Sequence, residues 1–315
     1  MGRVAEPLAA MGADVETTDG TLPLRLRGRP LHAISYRLPV ASAQVKSAIL
    51  LAGLYATDGE TTVVEPAPTR DHTERLLEEA GARVARREGS VSIWPAERLS
   101  LDQVEVPGDF SSAAPFVVAA TLVPGSEIHV HDVNLNPRRT GLLAILERMG
   151  ARITSYNRRS IGGEPGGDLE VHAAELVGTT VDASEVPLAI DELPLFGLLA
   201  ACARGESVLR GAAELRAKET DRIEATVDAL RALGARARAT EDGFAITGVP
   251  ARLRGGRVDS RGDHRIAMLG AIAGLASREG VRIAEPEAVS VSFPGFFEML
   301  DELRRTSAVE QPDRA

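Results

Sequence analysis

An amphipathic helix that ends in Gly-Ala and runs into a strand recurs four times in the 315-residue chain. The glycines of the four copies are Gly12, Gly81, Gly150 and Gly234, which lie 69, 69 and 84 residues apart. Apolar residues at i, i+3 and i+4 spacing indicate the helix, and a glycine at this point supplies the left-handed residue that commonly ends one. Because these periods are longer than those of solenoids, each repeat is predicted to be a small α/β module.

A second, more hydrophobic helix alternates with the first and ends in a glycine turn before another strand. Its four copies span residues 41–63, 109–130, 191–209 and 263–283. Ala and Leu surround these helices almost completely, which predicts that they are buried. The combined repeat is predicted to be β-α-β-α-β-β. The first copy opens directly on an amphipathic helix, so we expect its front half to be missing upstream. We also expect a boundary near Val106-Pro107-Gly108.

Composition narrows the classes of partner. The chain has 36 basic and 45 acidic residues and a formal net charge of -9, which argues against nucleic acid or an anionic membrane as a bulk partner. No apolar stretch reaches the ~18 residues that a membrane span needs, and the N-terminus lacks the layout of a signal peptide.

The single cysteine, Cys202, lies in an apolar run and is expected to be a buried, inert thiol. We expect a cytoplasmic protein with a flexible polar tail over residues 306–315.

Polar residues cluster where the buried helices are predicted to begin. The clusters are Ser42 with Gln44, residues 69–72, Asp109 with Ser111 and Ser112, Asp191 with Glu192, residues 218–222 and residues 263–265. N-capping accounts for Asp109, Ser111 and Thr73, because Ser, Thr and Asp side chains satisfy the free amides of a helix start. Capping does not account for the cations in the same clusters.

The unexplained cations are Arg70, Lys218, His264 and Arg265. Positive charge at a helix N-terminus opposes the helix dipole, so helix stability does not explain why cations occupy these positions. Helix N-termini that converge with added cations form a strong anion site. The sequence therefore predicts a ligand that carries phosphate or carboxylate groups.

Two acidic residues, Asp191 and Glu219, are expected in the same electropositive surroundings. One carboxylate there can remain ionised while another is tuned to give or take a proton. An alternative is that Glu219 and Asp221 pair with Arg222 on a solvated helix. The charge pattern alone leaves both interpretations open.

Three other polar segments have structural interpretations. The glycine-rich segment 162–167 is expected to be a hairpin loop rather than a phosphate loop. His129 and His131 share one side of a strand, and with no third ligand near them a surface strand is favoured over a metal site. Arg138 and Arg139 are expected to be solvated at the start of the next helix.

Three segments together resemble the signature segments of the 5-enolpyruvylshikimate-3-phosphate synthase family. They are residues 39–48, 218–222 and 262–265. Asp191 also follows the family spacing, and residues 292–294 resemble the segment near its C-terminus. The resemblance runs from Met1 to about Arg305. It implies an α/β fold, a two-domain inside-out α/β barrel whose N-terminal units are incomplete. Residues 1–106 would be the remainder of the first domain and residues 107–305 the second.

The resemblance also implies an activity, which is transfer of the enolpyruvyl group of phosphoenolpyruvate to the 5-hydroxyl of shikimate 3-phosphate with release of phosphate. This step belongs to chorismate biosynthesis, in the shikimate pathway to aromatic amino acids. By resemblance, the shikimate 3-phosphate ligands are Ser42, the backbone of Ala43, Gln44, Arg70, Asp191 and Lys218. The phosphoenolpyruvate ligands are Gln44, Arg222, His264 and Arg265.

The resemblance assigns three catalytic roles. Asp191 is the base on the 5-hydroxyl, Glu219 protonates the methylene carbon of phosphoenolpyruvate, and Lys218 bridges the two substrates. Lys46, which with Lys218 makes up all the lysine in the chain, is expected to be a helix-face residue rather than a ligand. No metal or organic cofactor is implied, and full-length members of the family are expected to be monomers.

Some family features are not matched. The N-terminal portion, with its Pro-Gly-x-Lys-Ser phosphate-binding segment, has no counterpart, and Val291 and Ser292 stand where many members have a lysine. We therefore expect the chain alone to bind and turn over poorly. One alternative is the sister transferase that acts on UDP-N-acetylglucosamine, whose typical members carry a reactive loop cysteine that this sequence does not offer. Another is an inactive remnant that serves as a binding module.

Overall fold

A computed structural model describes residues 1–249 and 252–309, without the side chains of residues 306–309. The chain forms two compact units. Unit 1 comprises Met1–Pro107, Leu135–Arg139 and Arg159–Gly166, and unit 2 comprises Gly108–Asn134, Thr140–Arg158 and the residues from Gly167 onward. The assignment of residues 1–106 and 107–305 to two enolpyruvyl transferase domains stays a prediction. Of the predicted flexible tail, residues 310–315 lie outside the described part of the chain.

Unit 1 contains one complete β-α-β-α-β-β repeat. Its elements are β3 (Ser35–Arg37), α2 (Ala43–Gly53), β4 (Thr61–Val64), α3 (His72–Glu79), β5 (Val84–Arg87) and β6 (Ser90–Ile93). The sheet order is β3-β4-β6-β5; β3 and β4 run parallel, and the other pairs are antiparallel. Before this repeat stand α1 (Gly2–Ala10) and the antiparallel pair β1 (Asp14–Thr18) and β2 (Thr21–Arg27).

The next copy has the same plan with a reduced first strand. Its elements are α4 (Phe110–Leu122), β7 (Glu127–Asn134), α5 (Gly141–Arg148), β8 (Arg152–Ile161) and β9 (Glu164–His172). The sheet order is β7-β9-β8, and a parallel bridge between Gly108 and Val133 takes the place of a first strand. Gly162 and Gly163 join β8 to β9 with φ values of 54° and 76°. Positive φ at both residues is what a two-residue hairpin turn requires. The predicted hairpin is therefore confirmed, but its loop is limited to Gly162 and Gly163, because residues 164–167 lie in β9.

Another copy follows in unit 2. Its elements are β10 (Thr180–Val181), α6 (Val186–Ala189), α7 (Leu193–Cys202), β11 (Gly205–Leu209), α8 (Arg222–Ala232), β12 (Arg236–Thr240) and β13 (Gly243–Gly248). The sheet order β10-β11-β13-β12 repeats the order of unit 1. The described chain then continues with β14 (Gly256–Asp259), α9 (His264–Leu275), β15 (Val281–Ala284) and α10 (Phe296–Val309). The predicted repeat and the α/β class are confirmed.

Burial follows the predicted division between the two kinds of helix. The apolar helices α4, α7 and α9 are buried along most of their length, whereas α3 and α5 bury one face. The prediction was wrong for α2, because residues such as Leu51, which is 48% exposed, face outward. Among residues 1–249 and 252–309, none of the helices combines the length and apolar content that crossing a membrane requires.

Candidate active site

The side chain of Arg222, at the start of α8, is 1% exposed and faces three carboxylates in unit 2. Its Nε lies 2.8 Å from Oδ2 of Asp263, its Nη2 lies 2.6 Å from Oε2 of Glu219, and its Nη1 lies 3.5 Å from Oδ1 of Asp191. Nη1 makes no hydrogen bond with any residue that the structure describes. The structure therefore brings together three residues of the predicted site and adds Asp263.

Asp263 is fully buried and caps α9 by accepting a hydrogen bond from the backbone N–H of Arg265 at 2.8 Å. It also accepts a hydrogen bond from the hydroxyl of Thr220 at 3.0 Å. Burial alone would raise the pKa of Asp263, but hydrogen bonds and charge from Arg222, helped by the Arg265 amide and Thr220, lower it overall. Asp263 is therefore ionised at neutral pH and fixes the guanidinium of Arg222. This role of Asp263 was not predicted from the sequence, although an Asp before His-Arg at a helix start was a usable signal.

His264 and Arg265 are the first two residues of α9. Burial lowers the pKa of His264, and the positive charges of Arg265 and Arg222 lower it further, against the opposing effect of Asp263 and Glu219. His264 is therefore neutral at pH 7. A neutral imidazole beside two guanidinium groups can accept a proton from a ligand or donate a hydrogen bond to it.

The starts of α4, α7 and α9 meet in unit 2. Nη1 of Arg265 donates a hydrogen bond to the carbonyl of Ser111 at 3.2 Å and lies 4.0 Å from Oε1 of the buried Glu192. The hydroxyl of Ser111 donates to the same Glu192 oxygen. The predicted cap was right for Asp109, which accepts from two amides of α4, and wrong for Ser111. Three helix starts therefore converge within this unit.

The segment before α8 carries Lys218 and Glu219. Lys218 is half-buried and follows a short 3₁₀ helix, and the Glu219 side chain is 55% exposed. Asp221 caps α8 and pairs with Arg216. The alternative in which Glu219 and Asp221 both pair with Arg222 on a solvated helix is thus right only for the pairing of Glu219. Asp221 has another partner, and Arg222 is buried.

In unit 1 the predicted ligands lie at the starts of α2 and α3. Ser42 caps α2 by accepting a hydrogen bond from the N–H of Val45 at 3.4 Å, and Ala43 and Gln44 are the first residues of that helix. Arg70 lies two residues before α3. The hydroxyls of Ser47 and Thr73 are 2.6 Å apart, so the two helix starts are neighbours. Thr73 was expected to cap α3, and that prediction was wrong because its hydroxyl bonds to α2.

Lys46 lies on the buried face of α2 and is fully buried. Its Nζ is 2.7 Å from Oε1 of Glu74 and 3.1 Å from Oε1 of Glu65. Glu65 also accepts hydrogen bonds from the amide and the hydroxyl of Thr69. This chain of contacts anchors the loop that leads directly into Arg70.

A second buried polar group surrounds Asp71. Asn136 Nδ2 donates to Oδ1 of Asp71 at 2.6 Å and to Oε2 of Glu164 at 2.9 Å. Arg138 donates to the carbonyl of Thr69 at 3.2 Å and lies 3.8 Å from Asp71. Burial alone would raise the pKa of Asp71, but hydrogen bonds from Arg75 and Asn136 and the charges of Arg75 and Arg138 lower it.

The expectation that Arg138 and Arg139 are solvated was wrong. Arg139 is 8% exposed, and Arg138 is engaged with the loop before α3. The sequence held no local signal for these contacts, because the partner loop lies 69 residues away from Arg138.

Comparison with known proteins identifies the family. Residues 1–300 match the family model described as EPSP synthase (3-phosphoshikimate 1-carboxyvinyltransferase). The chain is 52% identical over 296 residues to a 3-phosphoshikimate 1-carboxyvinyltransferase of Acidithiobacillus ferrooxidans, covering 94% of this chain and 68% of the relative.

Solved structures agree with this match. EPSP synthase from Acinetobacter baumannii superposes with a TM-score of 0.85 at 44% identity, covering 96% of this chain and 70% of that one. The enolpyruvyl transferase NikO from Streptomyces tendae shares the fold, with a TM-score of 0.75 at 18% identity over 96% of this chain and 70% of that one. The chain therefore belongs to the EPSP synthase family.

Proposed function

We propose that this protein transfers the enolpyruvyl group of phosphoenolpyruvate to the 5-hydroxyl of shikimate 3-phosphate and releases phosphate. The observation that carries the proposal is a pair of buried guanidinium atoms. Nη1 of Arg222 and Nε of Arg265 make no hydrogen bond with any described residue. A buried N–H without an acceptor costs about 1–3 kcal/mol, so an incoming carboxylate gains by binding there. The names of the relatives support the same reaction.

Phosphoenolpyruvate would be held by its carboxylate. Arg222 and Arg265 present planar guanidinium groups, which bind carboxylates through paired hydrogen bonds. Gln44 would add an amide contact to this substrate. His264 would lie near the phosphate that leaves, where a neutral imidazole can give or take a hydrogen bond without adding charge.

Shikimate 3-phosphate would bind through its phosphate and its hydroxyls. Ser42, the amide of Ala43 and Gln44 lie at the start of α2, where free amides and the helix dipole favour a phosphate. Arg70 would add a positive charge beside the phosphate. The ring hydroxyls would be bound by Asp191 and by Lys218, which would also contact phosphoenolpyruvate.

The proposed reaction uses two carboxyl groups. Glu219 donates a proton to the methylene carbon of phosphoenolpyruvate, and Asp191 accepts the proton of the 5-hydroxyl as its oxygen bonds to the central carbon. The carboxylate of Glu219 then takes back a methyl proton, and the electron pair of that C–H bond restores the carbon–carbon double bond. The bond from the central carbon to the phosphate oxygen breaks, and phosphate leaves with its electron pair. The arginines stabilise the negative charge throughout.

Three further proposals accompany this function. Residues 1–106 and 107–305 would correspond to the first and second domains of the family. The product would enter chorismate biosynthesis in the cytoplasm. Full-length members of the family would be monomers, which sedimentation analysis of a full-length relative tests.

Phosphate release by the purified chain tests the proposal. We expect release only when both substrates are present, with controls that lack either one. Asp191→Asn is expected to lower the rate by about 10²–10⁴-fold, since it removes a general base. Asp228→Asn, a matched change at an exposed residue of α8, is expected to keep the parent rate. Release that does not depend on shikimate 3-phosphate would count against the proposal. So would no release even after an upstream segment from a related enzyme is added, since the chain alone is expected to turn over poorly.

The sister activity on UDP-N-acetylglucosamine is not favoured. The relative from Acidithiobacillus ferrooxidans is named a 3-phosphoshikimate 1-carboxyvinyltransferase. Burial also raises the pKa of the single cysteine, Cys202, to about 12, so this thiol is unsuited to react with a substrate at neutral pH.

A further inference from the structure

One side of the β7–β9 strand pair in unit 2 carries three histidines and three acids. They are Glu127, His129 and His131 on β7, and Asp168, Glu170 and His172 on β9. Residues two apart on a strand point to the same side. The two strands are neighbours in the sheet, and His131 lies 3.6 Å from Asp168 while His172 lies 3.6 Å from Glu127.

Three of these side chains can reach a single ion. Glu127, His129 and Glu170 each offer one ligand atom, and these atoms all lie within 4.8 Å of one another. The expectation that His129 has no third ligand nearby was therefore wrong, because Glu170 comes from the neighbouring strand. Zinc binds nitrogen and carboxylate oxygen at about 2.0–2.2 Å. The side chains of Glu127 and His129 are 57% and 44% exposed, so small rotations can bring these atoms to that distance.

The ring of His129 is already oriented as a ligand. Its Nδ1 lies 3.1 Å from the hydroxyl of Tyr156 on β8, and its Nε2 lies 3.5 Å from Oε1 of Glu127. In metal sites the second ring nitrogen of a histidine ligand is held by an outer hydrogen bond, which fixes the tautomer and the ring plane. Tyr156 is in the position of such an outer partner and leaves Nε2 facing the carboxylate.

We propose that Glu127, His129 and Glu170 bind one divalent transition-metal ion such as Zn²⁺, with Tyr156 orienting His129. Two carboxylates balance the charge of the ion, and the imidazole favours zinc, copper or nickel over magnesium or calcium. His172, whose Nε2 lies 2.7 Å from Glu170, adds a second imidazole at the edge of the site. An ion in this position joins β7 to β9, and it stabilises the fold because the unfolded chain does not hold the three ligands together.

Isothermal titration of the untagged full chain with zinc chloride tests this site. We expect saturation at about one ion per chain and a melting temperature that rises with zinc concentration. Magnesium chloride at the same concentration is expected to give neither effect. Loss of an outer partner weakens metal binding by roughly 10–100-fold. His129→Ala removes a direct ligand and should weaken zinc binding at least as much. Tyr156→Phe removes the outer partner and should weaken it by about 10-fold.

A matched control keeps the result specific. His32 is an exposed histidine that also contacts a carboxylate, that of Asp58 at 3.3 Å, and His32→Ala is expected to bind zinc as the parent does. The melting temperature without metal shows that each variant is folded. The proposal is overturned if zinc does not saturate near one ion per chain, or if His129→Ala binds as tightly as the parent.

Discussion

Arg222 and Asp263 form a buried ion pair in which Nε lies 2.8 Å from Oδ2, with the two side chains 1% and 0% exposed. The pair joins the first turn of α8 to the N-cap of α9. Both charges are removed from water, and Asp263 depends on Arg222 for compensation, whereas Arg222 also faces Glu219 and Asp191. Asp263 is the one fully buried carboxylate of these three, so it helps to fix the position of Arg222, on which the proposed phosphoenolpyruvate site depends.

Asp263→Asn should destabilise the protein strongly. Arg222 keeps Glu219 and Asp191 as neighbours, but it loses its one fully buried carboxylate, and breaking a buried pair costs about 3–5 kcal/mol. Asp228→Asn breaks a pair with Arg261 whose side chains are 49% and 42% exposed, and it should cost less than about 1 kcal/mol. Chemical denaturation at pH 7 measures both changes. Equal losses in the two variants would show that burial does not set the strength of the Asp263 pair.

The pair of Arg222 and Asp263 also predicts that the stability of the protein depends on pH. The folded pKa of Asp263 is lowered, so its contribution to stability is present above the unfolded value of about 3.9 and is lost as the pH falls through the folded pKa. The difference in stability between the parent and Asp263→Asn should therefore shrink as the pH is lowered below about 4. A difference that grows in acid would contradict the direction of the shift.

His264 should titrate below its ordinary value of about 6.5. Burial is the main cause, and the charge of Arg265 adds to it, so Arg265→Gln should raise the pKa of His264. Because the unfolded chain binds this proton more readily, the contribution of His264 to stability should fall as the pH drops below about 6.5. NMR titration of the imidazole, assigned with a His264→Asn variant, measures the pKa directly. A midpoint above 6.5 would contradict this account.

Lys46→Met should destabilise unit 1 because it leaves Glu65 and Glu74 buried without their shared cation. The expected loss is about 3–5 kcal/mol. Arg86→Met, which breaks a partly exposed pair with Glu78, should cost less than about 1 kcal/mol. Denaturation by urea compares the two variants. A Lys46→Met protein as stable as the control would show that the buried cluster does not depend on its ammonium group.

Cys202 should be inert in the folded protein. With a pKa of about 12, its thiolate fraction at pH 8 is about a thousandfold smaller than that of a free cysteine. A disulfide reagent should therefore label the native chain slowly and the unfolded chain at once. Fast labelling of the native chain would mean that the thiol is ionised, contrary to its raised pKa.

The repeated architecture was predictable because its signals are local. Gly12, Gly81, Gly150 and Gly234 all have positive φ, as the helix-ending pattern requires. The alternation of amphipathic and apolar helices then gave the order of strands and helices in each repeat. Such a repeat can be recognised without knowing which residues are in contact in the folded protein.

The polar contacts were less predictable because their partners are distant in sequence. Ser111 and Thr73 fit the local pattern of a helix cap, but their hydroxyls bond to Glu192, which precedes α7, and to Ser47 on α2. The pairing of Asp263 with Arg222 was equally hard to predict, because the two residues lie 41 positions apart in the sequence. A sequence pattern reports the type of side chain at a helix start, whereas tertiary packing decides which partner it meets.

Mass spectrometry of the product formed in D₂O tests the central claim most directly. The purified chain is incubated with both substrates, and the product is analysed for an added enolpyruvyl group and for deuterium. Protonation of the methylene carbon followed by loss of a methyl proton places deuterium in the vinyl group of some product molecules, and this is the predicted result. Phosphate release without an enolpyruvyl product, or a product whose vinyl group carries no deuterium, would contradict the account.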